Sequence, residues 1–313
     1  MTRVLITGVK GFIGANLTKR LIESGLEVYG IDLEKRLSVL VRNTLSVLGV
    51  VPTLYYPRSI TEEGLSGIFK HAKPDIVVHL AAQAIVSEAQ KNPVATFRTN
   101  VLGTVNVLEA CRVASVPVIV ASSDKAYGQG NAMHEQMALD PMYPYDTSKA
   151  CADLIAQCYA RTYGLRVKVV RCCNVYGPGD MNWSRIVPRT AKNVFEGKHA
   201  VIYDGMADVR REYAYIDDVC DAYMLLMKYV MNGEAFPNLP ALSTVVNIGT
   251  GEVHSARRMA NYICDYMDRP DLLPLAYERK DFLELEDQSI DRTALESIGW
   301  KAKWGFGEAL QTT

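Results

Sequence analysis

Tyr145 and Lys149 stand one helical turn apart in Tyr145-Asp146-Thr147-Ser148-Lys149. At that spacing a phenol and an amine share one face of a helix. An ammonium beside a phenol stabilises phenolate and lowers the phenol pKa, which would make Tyr145 a base usable near neutral pH. A second stretch, Val120 through Gly128, reads as a buried strand ending in Ser122-Ser123-Asp124-Lys125. Ser123 offers a hydroxyl to hold the oxygen that Tyr145 deprotonates. These residues predict the handling of a substrate alcohol beside a bound dinucleotide.

The elements needed to position them alternate along the chain. Val4-Leu5-Ile6-Thr7 is a β-branched run and reads as a strand. Gly8-Val9-Lys10-Gly11-Phe12-Ile13-Gly14 follows, then an amphipathic helix stopped by Gly25, then the strand Val28 to Asp32. Strand, glycine loop, helix, strand is the setting a dinucleotide-binding loop requires. Gly8 suits the tight turn, Gly11 the approach of amides to a pyrophosphate, and Gly14 close packing of helix on strand. The positive end of the helix would face the phosphates. Asp32 closes the second strand, where a carboxylate binds ribose hydroxyls and repels a 2′-phosphate, so the cofactor expected is NAD. Arg36 and Arg42 are the residues through which an NADP preference would have to act.

Residues 34–50 and 62–70 read as helical, with a strand at Thr53 to Tyr56 and Ser59-Ile60 after it. Asp75 to Leu80 reads as a strand running into Ala81-Ala82-Gln83, whose small residues would let a cofactor cross the strand end. His79 is expected to be a packed histidine, with no acid–base partner nearby in sequence. Pro93 to Val113 reads as one long helix containing Asn100. Pro117 to Ala121 and Val167 to Arg171 read as strands on either side of the helix from Asp146 to Tyr163. This order predicts an α/β fold built on a doubly wound parallel sheet. The glycine loop, Asp32, Ala81 to Gln83 and Ser122 to Lys125 all fall at carboxyl ends of strands, where such sheets bind ligands.

Beyond residue 173 the texture changes. Asn174 to Asp180 is turn-rich, Ile186 to Glu196 helical, Ala200 to Tyr203 and Arg210 to Ile216 strand-like. Asp217-Asp218-Val219 starts a helix, Val245 to Gly249 reads as a strand and Ser255 to Met267 as a helix. The expected division is a dinucleotide domain of residues 1–173 with roughly 212–250, and a smaller C-terminal α/β lobe of 174–211 and 251–313. Arg171, Arg185, Arg210 and Arg211 are candidate clamps for a substrate diphosphate, because guanidinium groups pair bidentately with phosphate oxygens. Arg185 and Arg211 are the favoured pair, and Arg210 reads as a surface ion-pairing residue.

The bulk properties suit this reading. Of 313 residues 49% are apolar and 22% charged, with a net charge of -1, which gives no basic face for nucleic acid. No apolar run approaches the length of a membrane span, and the opening residues lack a signal-peptide pattern. The expectation is a cytoplasmic protein with neither nucleic-acid nor membrane partners. Seven cysteines, without Cys-x-x-Cys spacing, read as reduced core residues rather than disulfides or metal ligands.

Taken in order, Gly8-x-x-Gly11-x-x-Gly14, His79-Leu80-Ala81-Ala82-Gln83, Ser123, Tyr145-x-x-x-Lys149, Asn174 to Gly179 and Arg211 to Val219 resemble an extended short-chain dehydrogenase/reductase of the nucleotide-sugar epimerase/dehydratase group. The resemblance runs through Ile298-Gly299-Trp300 and implies a Rossmann-type fold. It implies cofactor contacts from Gly8, Lys10, Gly11, Phe12, Ile13, Gly14, Asp32, Ser59, Ile60, Leu80, Ala81, Ala82, Gln83, Asn100, Ser122, Tyr145 and Lys149. It implies substrate contacts from Gln83, Ser123, Asn174, Arg185 and Arg211. Family members often carry Asp where Ser59 stands. Ser123-Asp124-Lys125 is similar to the CDP-glucose 4,6-dehydratases, in which Asp124 would protonate the departing 6-hydroxyl. The more usual Glu is Lys125 here, which leaves the C5 base open between this residue and others. The resemblance therefore implies a 4,6-dehydratase, with a 4-epimerase and a non-catalytic NAD-binding regulator as alternatives. It also implies a homodimer joined by a four-helix bundle from the segments Asn100–Cys111 and Ser148–Tyr163.

Overall fold

Alternation of side chains along short β-branched runs sets the layers of the molecule. The computed structural model describes residues 1–33, 48–203, 205–239, 243–277 and 287–313. The strands β1 (Arg3–Thr7), β2 (Glu27–Asp32), β3 (Leu54–Pro57), β4 (Ile76–His79), β5 (Val118–Ala121), β6 (Val167–Cys172) and β7 (Val245–Ile248) form one sheet. Its order is β7-β6-β5-β4-β1-β2-β3, and every pairing is parallel. The strand order reverses between β1 and β4, so their carboxyl ends flank a switch point.

Each strand feeds two cores. Val4, Ile6, Ile76, Val78, Ile119, Val170, Val246 and Ile248 point to one face. There α1 (Phe12–Glu23) packs beside the long helix Ile216–Asn232. Leu5, Val77, Val118, Val120, Val167, Val169 and Val245 point to the other face. Period-two alternation with apolar residues at both parities requires a layer on each side of the sheet. The second face is covered by α2 (Leu65–Ala72), α3 (Gly103–Ala114) and α4 (Pro144–Tyr163). Gly164 ends α4 in the left-handed conformation that favours glycine.

A second, five-stranded sheet joins Val253–Ser255, Arg210–Tyr215, Gln288–Ile290 and Gly130–Met133 in that order, with Asn174–Tyr176 also paired to Arg210–Tyr215. Val201–Tyr203 pairs with Leu275–Tyr277. Gly130–Met133 thus leaves the first segment of the chain to join the second sheet.

Several expectations are corrected. Asn174–Tyr176, read as turn, is a strand held by backbone pairing to Tyr213 through Tyr215. The expected single helix from Pro93 to Val113 is divided into a short helix Pro93–Phe97, a π-helical turn Arg98–Leu102 and α3. A π turn inserts one residue into the helical register, and the buried Asn100 amide, fixed by Gln83, occupies it. Cys158 is exposed and Cys151 half-buried, so those two cysteines of α4 lie outside the core. The helix expected at residues 34–50 lies largely outside the described residues, as do Arg36 and Arg42.

Arg171 is also not a substrate clamp. It is fully buried, its Nε and Nη2 donate to the two carboxylate oxygens of Asp153 at 2.8 and 3.1 Å, and it stacks 4.5 Å over the Tyr127 ring. The pair fastens β6 to α4. Removing one partner of such a pair leaves a bare charge in the interior, which costs about 3–5 kcal/mol. Replacing Asp153 by Ala is expected to destabilise the fold by about that much, read by denaturant unfolding.

Candidate active site

Two close contacts set the floor of the site. Gly8 lies in the left-handed region at φ 75°, and a side chain there would bring its Cβ 2.7 Å from the Ala81 nitrogen. A Cβ on Gly14 would lie 2.2 Å from the Gly8 carbonyl oxygen. The first turn of α1 therefore rests directly on the loop that leaves β1. Asp32, at the end of β2, accepts from the Lys10 amide at 2.9 Å and the Leu33 amide at 2.8 Å, which aims its carboxylate at the same loop. The Lys10 ammonium lies 3.6 Å above the Tyr55 ring. Ser59 and Ile60 follow β3, and the Ile60 carbonyl accepts from Asn106.

Residues after β4 are held from the other side. Asn100 accepts from the Gln83 amide at 2.7 Å and donates to the Gln83 carbonyl at 3.0 Å. The Leu80 amide donates to the Thr7 carbonyl, and the Ala81 amide donates to Thr7 Oγ1 at 3.3 Å. The Gln83 side chain folds back on the Ile85 backbone, so its amide serves its own turn.

After β5 the chain enters a 3-10 turn, Asp124–Tyr127. That changes the expected geometry: on a strand Asp124 and Lys125 would point apart, whereas the turn brings Lys125 Nζ within 3.8 Å of Asp124 Oδ1. Ser123 Oγ donates to the same oxygen at 2.9 Å. Asp124 is buried and Lys125 half-buried. Lys149, one turn after Tyr145 on α4, donates to the Ala121 carbonyl at 2.8 Å, at the end of β5.

The electrostatics of Tyr145 run against the expectation. Its phenol is pushed up to about 12, first by loss of surrounding water and then by the Asp124 carboxylate; Arg185 and a hydrogen bond with Ser123 oppose the rise without overcoming it. Lys149 is itself pushed down to about 8 by burial. An amine that has lost part of its own claim to a charge is a weak source of phenolate stabilisation. The lowered Tyr pKa is therefore not built into the protein by itself.

Arg185 pairs with Asp180 at 3.1 Å and lies 5.9 Å from the Phe12 ring, which places it beside the first turn of α1. Arg211 is buried on Arg210–Tyr215, while Arg210 is exposed and ion-paired to Asp287 at 2.7 Å. Asn174 donates to the Glu212 carbonyl. Ser148 is a residue that the sequence pattern alone did not single out. Its hydroxyl donates to the Tyr145 carbonyl at 2.7 Å and accepts from Asn100 at 2.8 Å. A hydroxyl three positions after the tyrosine, on a helix, was the available signal.

The residues present fit a dinucleotide. Ser122 Oγ, buried at the carboxyl end of β5, has no hydrogen-bond partner among the described residues. A buried hydroxyl left in that condition is costly, and a bound polar group would relieve it. Gly8, Gly11 and Gly14 have no Cβ to bar the approach of a ligand to the loop backbone, and the Asp32 carboxylate is held against that loop by the Lys10 amide.

This geometry defines a Rossmann-type dinucleotide enzyme. The NAD dependent epimerase/dehydratase family matches residues 4–249, and the chain belongs to that family. A dTDP-glucose 4,6-dehydratase of Streptomyces antibioticus is 34% identical over 241 residues, covering 74% of this chain and 70% of the relative. A UDP-glucuronate 4-epimerase of Thermodesulfobacterium geofontis is 32% identical over 325 residues, covering 99% and 94%. Among solved structures, the Thermus thermophilus UDP-glucose 4-epimerase complex with NAD has a TM-score of 0.84 at 30% identity, covering 100% of this chain and 97% of that one. The chain is thus an NAD-dependent enzyme whose relatives carry out two different reactions. No helix among the described residues is long and apolar enough to cross a membrane.

Replacing Tyr145 by Phe is expected to leave bound NAD in place, read from cofactor released on denaturation. Turnover should fall about 100- to 10,000-fold, the usual contribution of one acid–base group. A variant with wild-type turnover would remove Tyr145 from the chemistry.

Proposed function

We propose that this chain is a nucleotide-sugar 4,6-dehydratase, which oxidises C4, removes water across C5 and C6, and reduces C6 to give a 4-keto-6-deoxy sugar nucleotide. The observation that carries the reading is the contact of Asp124 with Lys125 on the turn beside Ser123 and Tyr145. Bound NAD supplies the acceptor and donor of hydride in such chemistry. Tyr145 takes the proton of the C4 hydroxyl while Ser123 holds the same oxygen. Lys149 keeps its place against the end of β5, beside the nicotinamide half of the cofactor. Arg185, Arg211 and Asn174 are assigned to the nucleotide diphosphate, and Gly8, Lys10, Gly11, Phe12, Ile13, Gly14, Asp32, Ser59, Ile60, Leu80, Ala81, Ala82, Gln83, Asn100 and Ser122 to the cofactor.

Asp124 and Lys125 turn oxidation into dehydration. A 4-ketone acidifies the hydrogen at C5. Once the Lys125 ammonium has passed a proton to the Asp124 carboxylate across their contact, Lys125 takes the C5 proton, the C5–C6 double bond forms, and the C6–O bond breaks as Asp124 gives its proton to the departing hydroxyl. One proton enters the pair and one leaves it, so the products are water and an ammonium–carboxylate pair. That is the ion-paired form from which the pair began, and as hydride returns to C6 a proton from solvent enters C5.

The second reading is a 4-epimerase, which needs only Ser123, Tyr145 and Lys149 and is the reaction named for two of the relatives above. In deuterated water with a panel of nucleotide sugars, the dehydratase places deuterium at C5 of the product. Asp124→Asn is expected to lower water loss about 100-fold or more and to let the enzyme accumulate reduced cofactor. Inversion at C4 without deuterium uptake would overturn the dehydratase reading.

The proposal includes a homodimer through α3 and α4, supported by the exposed apolar side chains of Val113, Leu154 and Tyr163 on those helices. Light scattering should return twice the mass of the chain, and a single-chain mass would refute the dimer.

A further inference from the structure

A line of buried hydrogen bonds runs beneath the site and connects its two halves. Ser148 Oγ donates to the Tyr145 carbonyl at 2.7 Å, so its lone pair receives the Asn100 Nδ2 proton at 2.8 Å. The other Nδ2 proton goes to the Gln83 carbonyl, and Asn100 Oδ1 takes the Gln83 amide. Asn100 belongs to the π turn, and its own carbonyl accepts the Thr104 hydroxyl proton at 2.6 Å. Thr104 Oγ1 also meets His79 Nε2 at 3.0 Å. Having spent its proton on Asn100, Thr104 can only accept there, so Nε2 carries the imidazole proton. His79 Nδ1 lies 2.6 Å from Thr7 Oγ1, which itself accepts the Ala81 amide. Thr7 therefore donates to Nδ1.

Every direction in this line is fixed by the donors and acceptors available. It starts at Ala81 and Thr7, directly behind the glycine loop, and ends on the turn of helix that carries Tyr145. All of its side chains are buried. A protonated imidazole would have to donate from both nitrogens, leaving the Thr7 hydroxyl proton without its acceptor. Burial and the positive charge of Lys149 also hold the imidazole down, to about 3.

We propose that His79 is a positioning residue: fixed as the neutral Nε2–H tautomer, it couples the placement of the glycine-loop strand to the placement of Tyr145. The inference rests on the family-level reading of an NAD site beside Tyr145, and it holds for either of the two reactions weighed above. It assigns a role to a histidine that never touches the reacting atoms. Thr104 and Asn100 act with it, and the π turn supplies the register that lets the Asn100 amide and carbonyl face opposite ways along the line. A misplacement of about 1 Å at a reacting group can cost up to about 100-fold in rate, so a loosened line should appear in kcat while substrate binding stays intact.

The test has two arms. In the first, the full-length protein labelled with ¹⁵N-histidine is studied at pH 7, with the His79 signals assigned by nuclear Overhauser contacts to the methyl groups of Thr7 and Thr104. A single tautomer with the proton on Nε2 is expected. A proton on Nδ1, an imidazolium or an averaged pair of tautomers would overturn the proposal. In the second, Thr104→Val removes the hydroxyl at nearly constant volume. It is expected to lower kcat about 10-fold, with KM changed less than about 2-fold and NAD content unchanged. Thr104→Ser should restore kcat. An unchanged kcat in Thr104→Val, a loss matched by lost NAD, or a failure of Ser to restore would each overturn it. If Thr104→Val does not fold, or no nucleotide sugar is turned over, the tautomer of the unaltered protein still decides. The empty substrate panel would then count against the proposed function alone.

Discussion

The contact between β1 and the first turn of α1 admits no side chain, and the rest of the site follows from it. With the Gly14 position only 2.2 Å, at a hypothetical Cβ, from the Gly8 oxygen, the helix can approach the sheet in one way. Its positive end then covers the switch point between β1 and β4. Asp32 is tied to the loop by the Lys10 amide, and the Ala81 backbone crowds Gly8 from the next strand. Strand, loop and helix therefore form one rigid ledge, with interior packing that tolerates little displacement.

The electrostatics divide the site into a part that is preset and a part that is not. Asp124, Lys125 and Ser123 already meet on their turn, so this cluster is assembled by the fold. Tyr145 is not yet a base: burial and Asp124 hold its proton on. Burial also weakens the charge of Lys149. A positive charge brought in by a ligand would reverse that balance, because an opposite charge within a few ångström favours the ionised phenol. In such a site the phenol would keep its proton until a cationic ligand is bound, and an empty site would carry no exposed phenolate.

Much of this was legible in the sequence. The β-branched runs, the glycine loop and Asp32 announce the sheet and its switch point, because each is a local consequence of residue type. Tyr145 and Lys149 share a helix face by spacing alone. The parts that were not legible depend on contacts distant in sequence. Arg171 looks like any other arginine until Asp153 and Tyr127 close around it. Asp124 and Lys125 read as strand neighbours because nothing local signals a 3-10 turn after Ser123. The strand at Asn174–Tyr176 exists only because Arg210–Tyr215 comes back to pair with it. The second sheet is assembled from short strands far apart in the chain, so no single stretch of it carries a strong period.

The π turn at Arg98–Leu102 has a meaning for how the chain can change over time. One residue corresponds to about 100° of helical rotation. The surplus residue is what turns Asn100 inward while α3 keeps its apolar face on the sheet. Substitutions along the outer surface of this segment leave that arrangement alone. A gain or loss of one residue anywhere between Pro93 and Gly103 would rotate either Asn100 or the whole of α3 out of place. The segment works as a ruler: its composition is open to drift, and its length is not.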